Sequence, residues 1–356
     1  MLGKPLIKEK NEKNTIFNKT AMLLAALPLG DDSMKAFTQS EFYQTYRETI
    51  DKNWIKFAGN RELIARWRDA NLSPSYSKAV FYPFSGPDVL HALTFYPQAR
   101  EIVMFGLEPT GGIPDAGSAN PLDQHLWQLL NSLNFSLNKS FFVTKDMGNN
   151  ITHSSLNGIT AVMFFFLSRG GYDVLQAEEI NILEDGSIER GAAPKNKGNV
   201  NGVEILFTEK GGRDIKRVYY FTIDINDASP QFERFGRHMS KYPPCATIIK
   251  SASYLMRWEN FSKIRGLALR NSESIIEDDS GIPYKYFKGN SEWKVTHFGK
   301  YHRPIGTFEI NYQKDLDQDN RAYSVVTIPF VYGYGYGFSD MTYHLLLAVK
   351  AKPDKK

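Results

Sequence analysis

Cysteine is almost absent: Cys245 is the only one in 356 residues. A single thiol excludes an intrachain disulfide and a zinc site built on several cysteines. Following Pro243-Pro244 and leading into an apolar segment, Cys245 reads as a small buried residue. Long apolar runs are missing too. None approaches the ~20 residues that cross a bilayer as a helix, so no transmembrane segment is expected. Ala21–Leu29 (AMLLAALPL) is too short and too far from Met1 for a signal-peptide core, and no Ala-x-Ala site follows it. It reads as an amphipathic first helix. The formal net charge is only +4, and much of the excess sits at the two ends. Proteins that bind nucleic acid concentrate Lys and Arg on one face. Lys250, Arg257, Lys263, Arg265 and Arg270 hint at such a stripe, but a solvated helix face explains them better. Nucleic acid is therefore not an expected partner. Catalytic signatures are lacking as well: there is no Gly-x-Ser-x-Gly elbow, no phosphate-binding Walker loop and no His-Glu-x-x-His pair. The seven histidines are scattered and read as structural. No metal-ligand pattern stands out, and no cofactor is named by the sequence.

What the chain does have is core. With 42% hydrophobic and 13% aromatic residues, it can bury a large apolar interior. The expected organisation is a flexible arm over 1–14, a single elaborated α/β domain over 15–350 and a polar tail over 351–356. Strands predicted at Val174–Ile182, Val203–Phe207 and Val218–Ile223, with turn signals between them, form a β-rich insertion at about 174–223. Helices are predicted at about Thr20–Pro28, around Phe42–Trp67, and over Pro121–Leu133, Ile151–Ser168, Pro230–Ser240 and Phe261–Ile275. Further strands fall at Ala246–Ser251, Trp293–Phe298 and Val325–Val331, with an apolar end at Tyr343–Val349. Trp54 and Trp67, at helical spacing, are assigned to the core.

The organising stretch is Ala79–Gly112 (AVFYPFSGPDVLHALTFYPQAREIVMFGLEPTGG). It reads as strand, tight turn at Ser85-Gly86-Pro87-Asp88, helix, strand, and an exit at Glu108-Pro109. This β-α-β rhythm predicts an α/β fold with a Rossmann-like, mainly parallel sheet, a β-hairpin insertion and a C-terminal β extension. In such sheets ligands bind beyond the carboxyl ends of the strands. Gly86 would let the backbone approach a ligand, and the helix start offers unpaired N–H groups. Glu108, 22 positions after Gly86, is suited to a ribose hydroxyl pair. The layout resembles the first half of a nucleotide-binding or S-adenosylmethionine-dependent methyltransferase domain, with one glycine where three are usual. Asp88 would repel a pyrophosphate and accept from an amino group. Ser85, Gly86, Asp88, Glu108 and Lys250 are the candidate ligand-binding residues, with Lys250 as the positive partner. The competing local reading is a capping turn made by Ser85 or Asp88, followed by an exposed glutamate.

Other groupings carry less. Glu277-Asp278-Asp279-Ser280-Gly281 has consecutive carboxylates but not the spacing of a calcium loop, and reads as a solvated acidic turn. Asp315, Asp317 and Asp319 alternate without the glycine and distal glutamate such a loop needs. Tyr332-Gly333-Tyr334-Gly335-Tyr336-Gly337-Phe338, if extended, presents one aromatic face. That face would stack on a ligand or pack against another chain.

Several phrases resemble an uncharacterised group of bacterial proteins: LAALP (24–28), YPFSGPDVLHALTFYPQAREIVMFGLEP (82–108 with Pro109), YFTIDIND (220–227), KSASYL (250–255), DDSGIPYKY (278–286) and WKVTHFGKYHRPI (293–305). SGPD and GLEP are the most specific of these. Ser85, Gly86, Asp88, Glu108, Lys250, Ser251, Asp279 and Arg303 lie inside them. Members of this group are often exported and have no established activity. The resemblance therefore implies a bacterial source and a periplasmic or secreted location. The lack of a recognisable signal at Met1 keeps a cytoplasmic location as the alternative. Two functions remain open at this point: a small-molecule crevice near Gly86 and Glu108, or a non-catalytic envelope protein that self-associates or binds a protein partner.

Overall fold

The computed structural model describes residues 16–74, 76, 78–117, 121–139, 158–191, 199–304, 306–322, 327–334 and 343–351. The expected arm at 1–14 lies outside them. So do 151–157 of a predicted helix, residues 192–198 within the β-rich segment, Gly335–Phe338, and 352–356 of the tail.

Ten strands form one sheet. In chain order they are β1 (Ala79–Tyr82), β2 (Glu101–Gly106), β3 (Tyr172–Ile182), β4 (Ile188–Arg190), β5 (Val200–Glu209), β6 (Ile215–Thr222), β7 (Cys245–Ile249), β8 (Ser272–Glu277), β9 (Trp293–Gly299) and β10 (His344–Lys350). Their order across the sheet is β4-β3-β5-β6-β2-β1-β7-β8-β10-β9. The middle, β6-β2-β1-β7-β8, is parallel throughout. The flanks are antiparallel: β4-β3-β5-β6 on one side and β8-β10-β9 on the other.

The class is α/β, but the expectation of a mainly parallel sheet is corrected, because the antiparallel pairings outnumber the parallel ones. The 174–223 segment is not a hairpin set apart from the core. Its last strand, β6, pairs in parallel with β2 from Glu101↔Arg217 to Gly106↔Thr222. The β-rich segment therefore extends the central sheet directly.

Parallel strands covered on both faces read as continuous apolar runs. β1 is Ala-Val-Phe-Tyr with every residue buried. Val80 and Tyr82 join one core, Ala79 and Phe81 the other. The first face is covered by α1 (Ile16–Leu24), α3 (Glu41–Asn71), α4 (Val89–Phe95), α5 (Leu122–Lys139) and α6 (Ile159–Arg169). A short α2 (Lys35–Thr38) precedes α3, whose first turn is capped by Ser40, its Oγ accepting from the Tyr43 N–H. Ile50, Phe57, Ile64 and Trp67 bury one stripe of α3. Trp67 sits edge-on to Phe95, and Trp54 packs edge-on against Phe165. The second face carries α7 (Pro230–Met239), α8 (Ser262–Asn271) and α9 (Lys314–Ala322).

Two further predictions are corrected. The helix expected over Phe261–Ile275 ends at Asn271, and Ser272–Glu277 is strand β8. Ile275 and Ile276 are fully buried, and β-branched pairs pack well on a pleated surface flanked by strands. The described part of the strand expected at Val325–Val331 has no strand conformation.

Candidate functional site

The chain runs outward from β1 to β2 and β6 on one side, and to β7 and β8 on the other. The order therefore reverses between β1 and β7. Beyond the carboxyl ends of these strands lies a cavity of about 640 Å³, inside the range typical of small-molecule sites. Its walls include the turn after β1, Gly106–Glu108 after β2, Ile223–Ile225 after β6 and Lys250–Ser253 after β7. Thr307, Phe308 and Tyr334 come in from the C-terminal part of the chain. Ser85, Gly86, Asp88, Glu108 and Lys250 all line it.

The turn after β1 needs left-handed backbone at two positions, Phe84 (φ 58°) and Gly86 (φ 51°). Glycine adopts that conformation at little cost; phenylalanine does so with strain. Neither Ser85 nor Asp88 caps α4 through its side chain. The Ser85 hydroxyl donates to the Gly86 carbonyl at 2.9 Å, and the Asp88 carboxylate turns inward instead.

Asp88 and Lys250, each expected to meet a ligand, meet each other. Lys250 Nζ donates to Asp88 Oδ2 at 2.5 Å, and the same oxygen accepts from the Tyr82 hydroxyl at 2.8 Å. Asp88 Oδ1 lies 2.6 Å from His91 Nδ1, one turn along α4. All three charged or titratable groups are buried. Burial alone would raise the Asp88 carboxyl, but the His91 ring and the Lys250 ammonium outweigh it and hold it well below the usual carboxylate range. Burial lowers Lys250, against the opposing pull of Asp88. The network ties α4 to the end of β7, and its Tyr82, Asp88 and Lys250 line the cavity. His91, read from sequence as structural, is a full member of it. Its signal was the three-residue step from Asp88, which places both on one helical face.

Glu108 is not the exposed glutamate of the competing reading. It is buried. The Tyr220 hydroxyl lies 3.1 Å from both its Oε2 and its backbone carbonyl, and Thr222 Oγ1 donates to that carbonyl at 2.8 Å. Gly106 is needed here, because a Cβ at that position would overlap the Glu108 carboxylate and crowd the Tyr220 hydroxyl. Burial and Glu108 together push the Tyr220 phenol well above its ordinary value, so it stays a neutral donor.

The wall after β7 is unusual. Ser251, Ser253 and Tyr254 all have left-handed φ, between 53° and 56°. The Tyr334 hydroxyl holds this turn, donating to the Ser251 carbonyl at 2.8 Å and lying 2.8 Å from Ser253 Oγ. Behind it, Asp278 accepts from the N–H groups of Ser251 and Tyr334 and from Ser280 Oγ. The acidic turn at 277–279 is therefore not solvated: Glu277, Asp278 and Asp279 are all buried. Asp279 Oδ2 accepts from Tyr254 at 2.6 Å, and Glu277 Oε2 from the Ile282 N–H at 2.8 Å. Burial, then the neighbouring Asp278, raises Asp279 to about 7.

Asp317 and Asp319 pair with Arg321 and Lys288. Among the described residues no group of three His, Cys, Asp or Glu could hold a metal ion. Tyr332 is buried, and the Tyr334 ring packs 5.6 Å from Phe308. Tyr332 therefore faces the core, and Tyr334 the cavity. The solvated helix face expected for Lys250, Arg257, Lys263, Arg265 and Arg270 is corrected, because Lys250 and Arg265 are buried.

No protein-family model, curated protein or solved structure matches the chain.

Proposed function

We propose that this protein binds a nucleoside-type small molecule, with vicinal hydroxyls and no phosphate, in the cavity between Gly86 and Glu108. The observation that carries the reading is the position of the cavity. It lies where the strand order reverses between β1 and β7, with a buried glutamate just past the end of the neighbouring strand. The parallel order β6-β2-β1-β7-β8 supports a Rossmann-like core, in which this crevice is the usual ligand position. Glu108 would accept from the ribose hydroxyls, with Tyr220 fixing its orientation. Leu107, Ile223 and Ile225 give an apolar wall for the base.

Charge narrows the ligand. Among the described residues, Asp88, Glu108 and Asp224 bring three carboxyl groups to the lining, and Lys250, its one cationic residue, is paired with Asp88. Such a site suits neutral or cationic molecules and disfavours a pyrophosphate.

A thermal-shift comparison of adenosine, other nucleosides, simple sugars and ADP tests the reading. A ligand at 100 times its dissociation constant adds about 2.7 kcal/mol to stability. Adenosine is expected to raise the melting temperature, ADP to do so less, and Glu108→Gln to lose about tenfold or more in affinity, as for a hydrogen bond to a charged group. Equal shifts in parent and Glu108→Gln would sink the idea.

A further inference from the structure

Eight large hydrophobic side chains stand exposed among the described residues, and three belong to one surface beside the cavity mouth. Ile310 is 83% exposed, Trp258 52% and Tyr312 41%. Ile310 lies on a 3₁₀ turn, Gly306–Asn311, whose Thr307 and Phe308 face inward to line the cavity. The turn is held to the segment after β7 by Arg257, which donates to the Asn311 carbonyl, and by the Tyr254 ring, 5.1 Å from that of Phe308. Trp258 follows Arg257 directly, so the three apolar side chains belong to neighbouring segments.

Bordering Tyr312 and Arg257 is a second cleft of about 290 Å³ with a different chemistry. Among the described residues, Arg257, Lys285 and Lys314 line it against one carboxylate, Asp315, which is paired with Lys288. Tyr284 and Tyr312 complete its sides. A cationic cleft with Tyr312 in its wall, on segments that also carry the exposed Ile310 and Trp258, combines two requirements of peripheral membrane binding. Aromatic and aliphatic side chains enter the interface, and basic residues meet anionic headgroups.

We infer that this face docks on an anionic phospholipid surface, with Ile310 and Trp258 entering the headgroup region and Arg257, Lys285 and Lys314 around a lipid phosphate. The charge of the cleft selects that occupant. A purely apolar patch would suit a second copy of the chain, but three cations gathered on one patch would repel their own copies. Docking would also set the cavity mouth against the bilayer, since one turn carries both Ile310 and the cavity residues Thr307 and Phe308. No helix among the described residues is long and apolar enough to cross a membrane, so the contact would be peripheral.

Co-sedimentation with vesicles tests this. The probes are phosphatidylcholine alone and phosphatidylcholine mixed with phosphatidylglycerol, each at low and high salt. The full chain is expected in the pellet with the mixed vesicles at low salt and in the supernatant with phosphatidylcholine alone. One basic residue near an anionic surface is worth about fivefold in partitioning. Lys285→Gln with Lys314→Gln should therefore cost about 25-fold, and Ile310→Ser about tenfold through lost apolar burial. These side chains are exposed, and unchanged melting temperatures would show that the variants fold. Recovery in the supernatant with anionic vesicles would overturn the inference. Equal binding by parent and variants would overturn it too. So would light scattering that shows a dimer which Ile310→Ser converts to a monomer.

Discussion

Lys250 and Asp88 are only 3% exposed, and each spends its charge on the other. A buried ion pair is not evidence of high stability, since desolvation offsets much of the attraction. Removing one partner is a different matter, because it leaves an uncompensated charge in the interior. Lys250→Met is expected to cost about 3–5 kcal/mol in urea unfolding. The double variant Asp88→Asn with Lys250→Met should cost clearly less than the two single changes added together, which is the signature of direct coupling. Strict additivity would show that the 2.5 Å contact contributes nothing. The sequence grouped these two residues as candidates for one ligand crevice, and both line one cavity, but nothing in it marked them as partners of each other. Asp88 and Lys250 are 162 positions apart, and only the adjacency of β1 and β7 brings them together. His91 was missed for a different reason: the three-residue step from Asp88 was there to read, but the sequence pattern points Asp88 at a ligand or at the helix cap, and its carboxylate turns to His91 instead.

At the scale of elements, β8 decides how much of the chemistry is buried. Read as a helix that ends at Ile275, this stretch would deliver Glu277-Asp278-Asp279 into solvent. As a strand between β7 and β10 it delivers them into the interior. Ser-Glu-Ser-Ile-Ile-Glu is short enough that periodicity alone does not separate helix from strand, and the tertiary setting chose. By contrast, Ala79–Gly106 was legible throughout. Its strands are continuous apolar runs broken by Ser-Gly-Pro-Asp and by Pro97, signals that need no partner to be read.

The burial has a consequence for pH. Asp279 is held at about 7 when folded and titrates near 3.9 when unfolded. The folded chain therefore keeps a proton that the unfolded chain has released. This contribution to stability is full below about pH 4 and is lost as pH rises through 7, with a slope of at most about 1.4 kcal/mol per pH unit. His238, lowered by burial to about 4, and His344, lowered by burial and His297 to about 3, act in the opposite direction. The informative quantity is therefore the difference between Asp279→Asn and the parent. Urea unfolding from pH 4 to pH 8 should show the variant gaining on the parent as pH rises. A constant difference would mean that Asp279 is ionised in the folded protein.

For the whole molecule, the sheet explains why one cavity collects residues from so many parts of the chain. Segments after β1, β2, β6 and β7 end on the same edge because these strands run parallel. The antiparallel flanks, which the sequence reading underestimated, widen the sheet without adding to that edge. Long-range pairings such as β2 with β6 carry no local signature, so the mixed character of the sheet was not legible from its separate strands. That Ser85, Gly86, Asp88 and Glu108 come to one cavity wall was legible because they follow a strand-turn-helix rhythm with a glutamate at a familiar distance.

Hydrogen–deuterium exchange with and without adenosine tests the central claim most directly, since it reports where a ligand acts. Binding in the cavity predicts slowed exchange confined to 84–88, 105–108, 223–225 and 250–253, with the slowing lost in Glu108→Gln. Slowed exchange elsewhere, or none at adenosine concentrations that raise the melting temperature, would contradict a ligand site between Gly86 and Glu108.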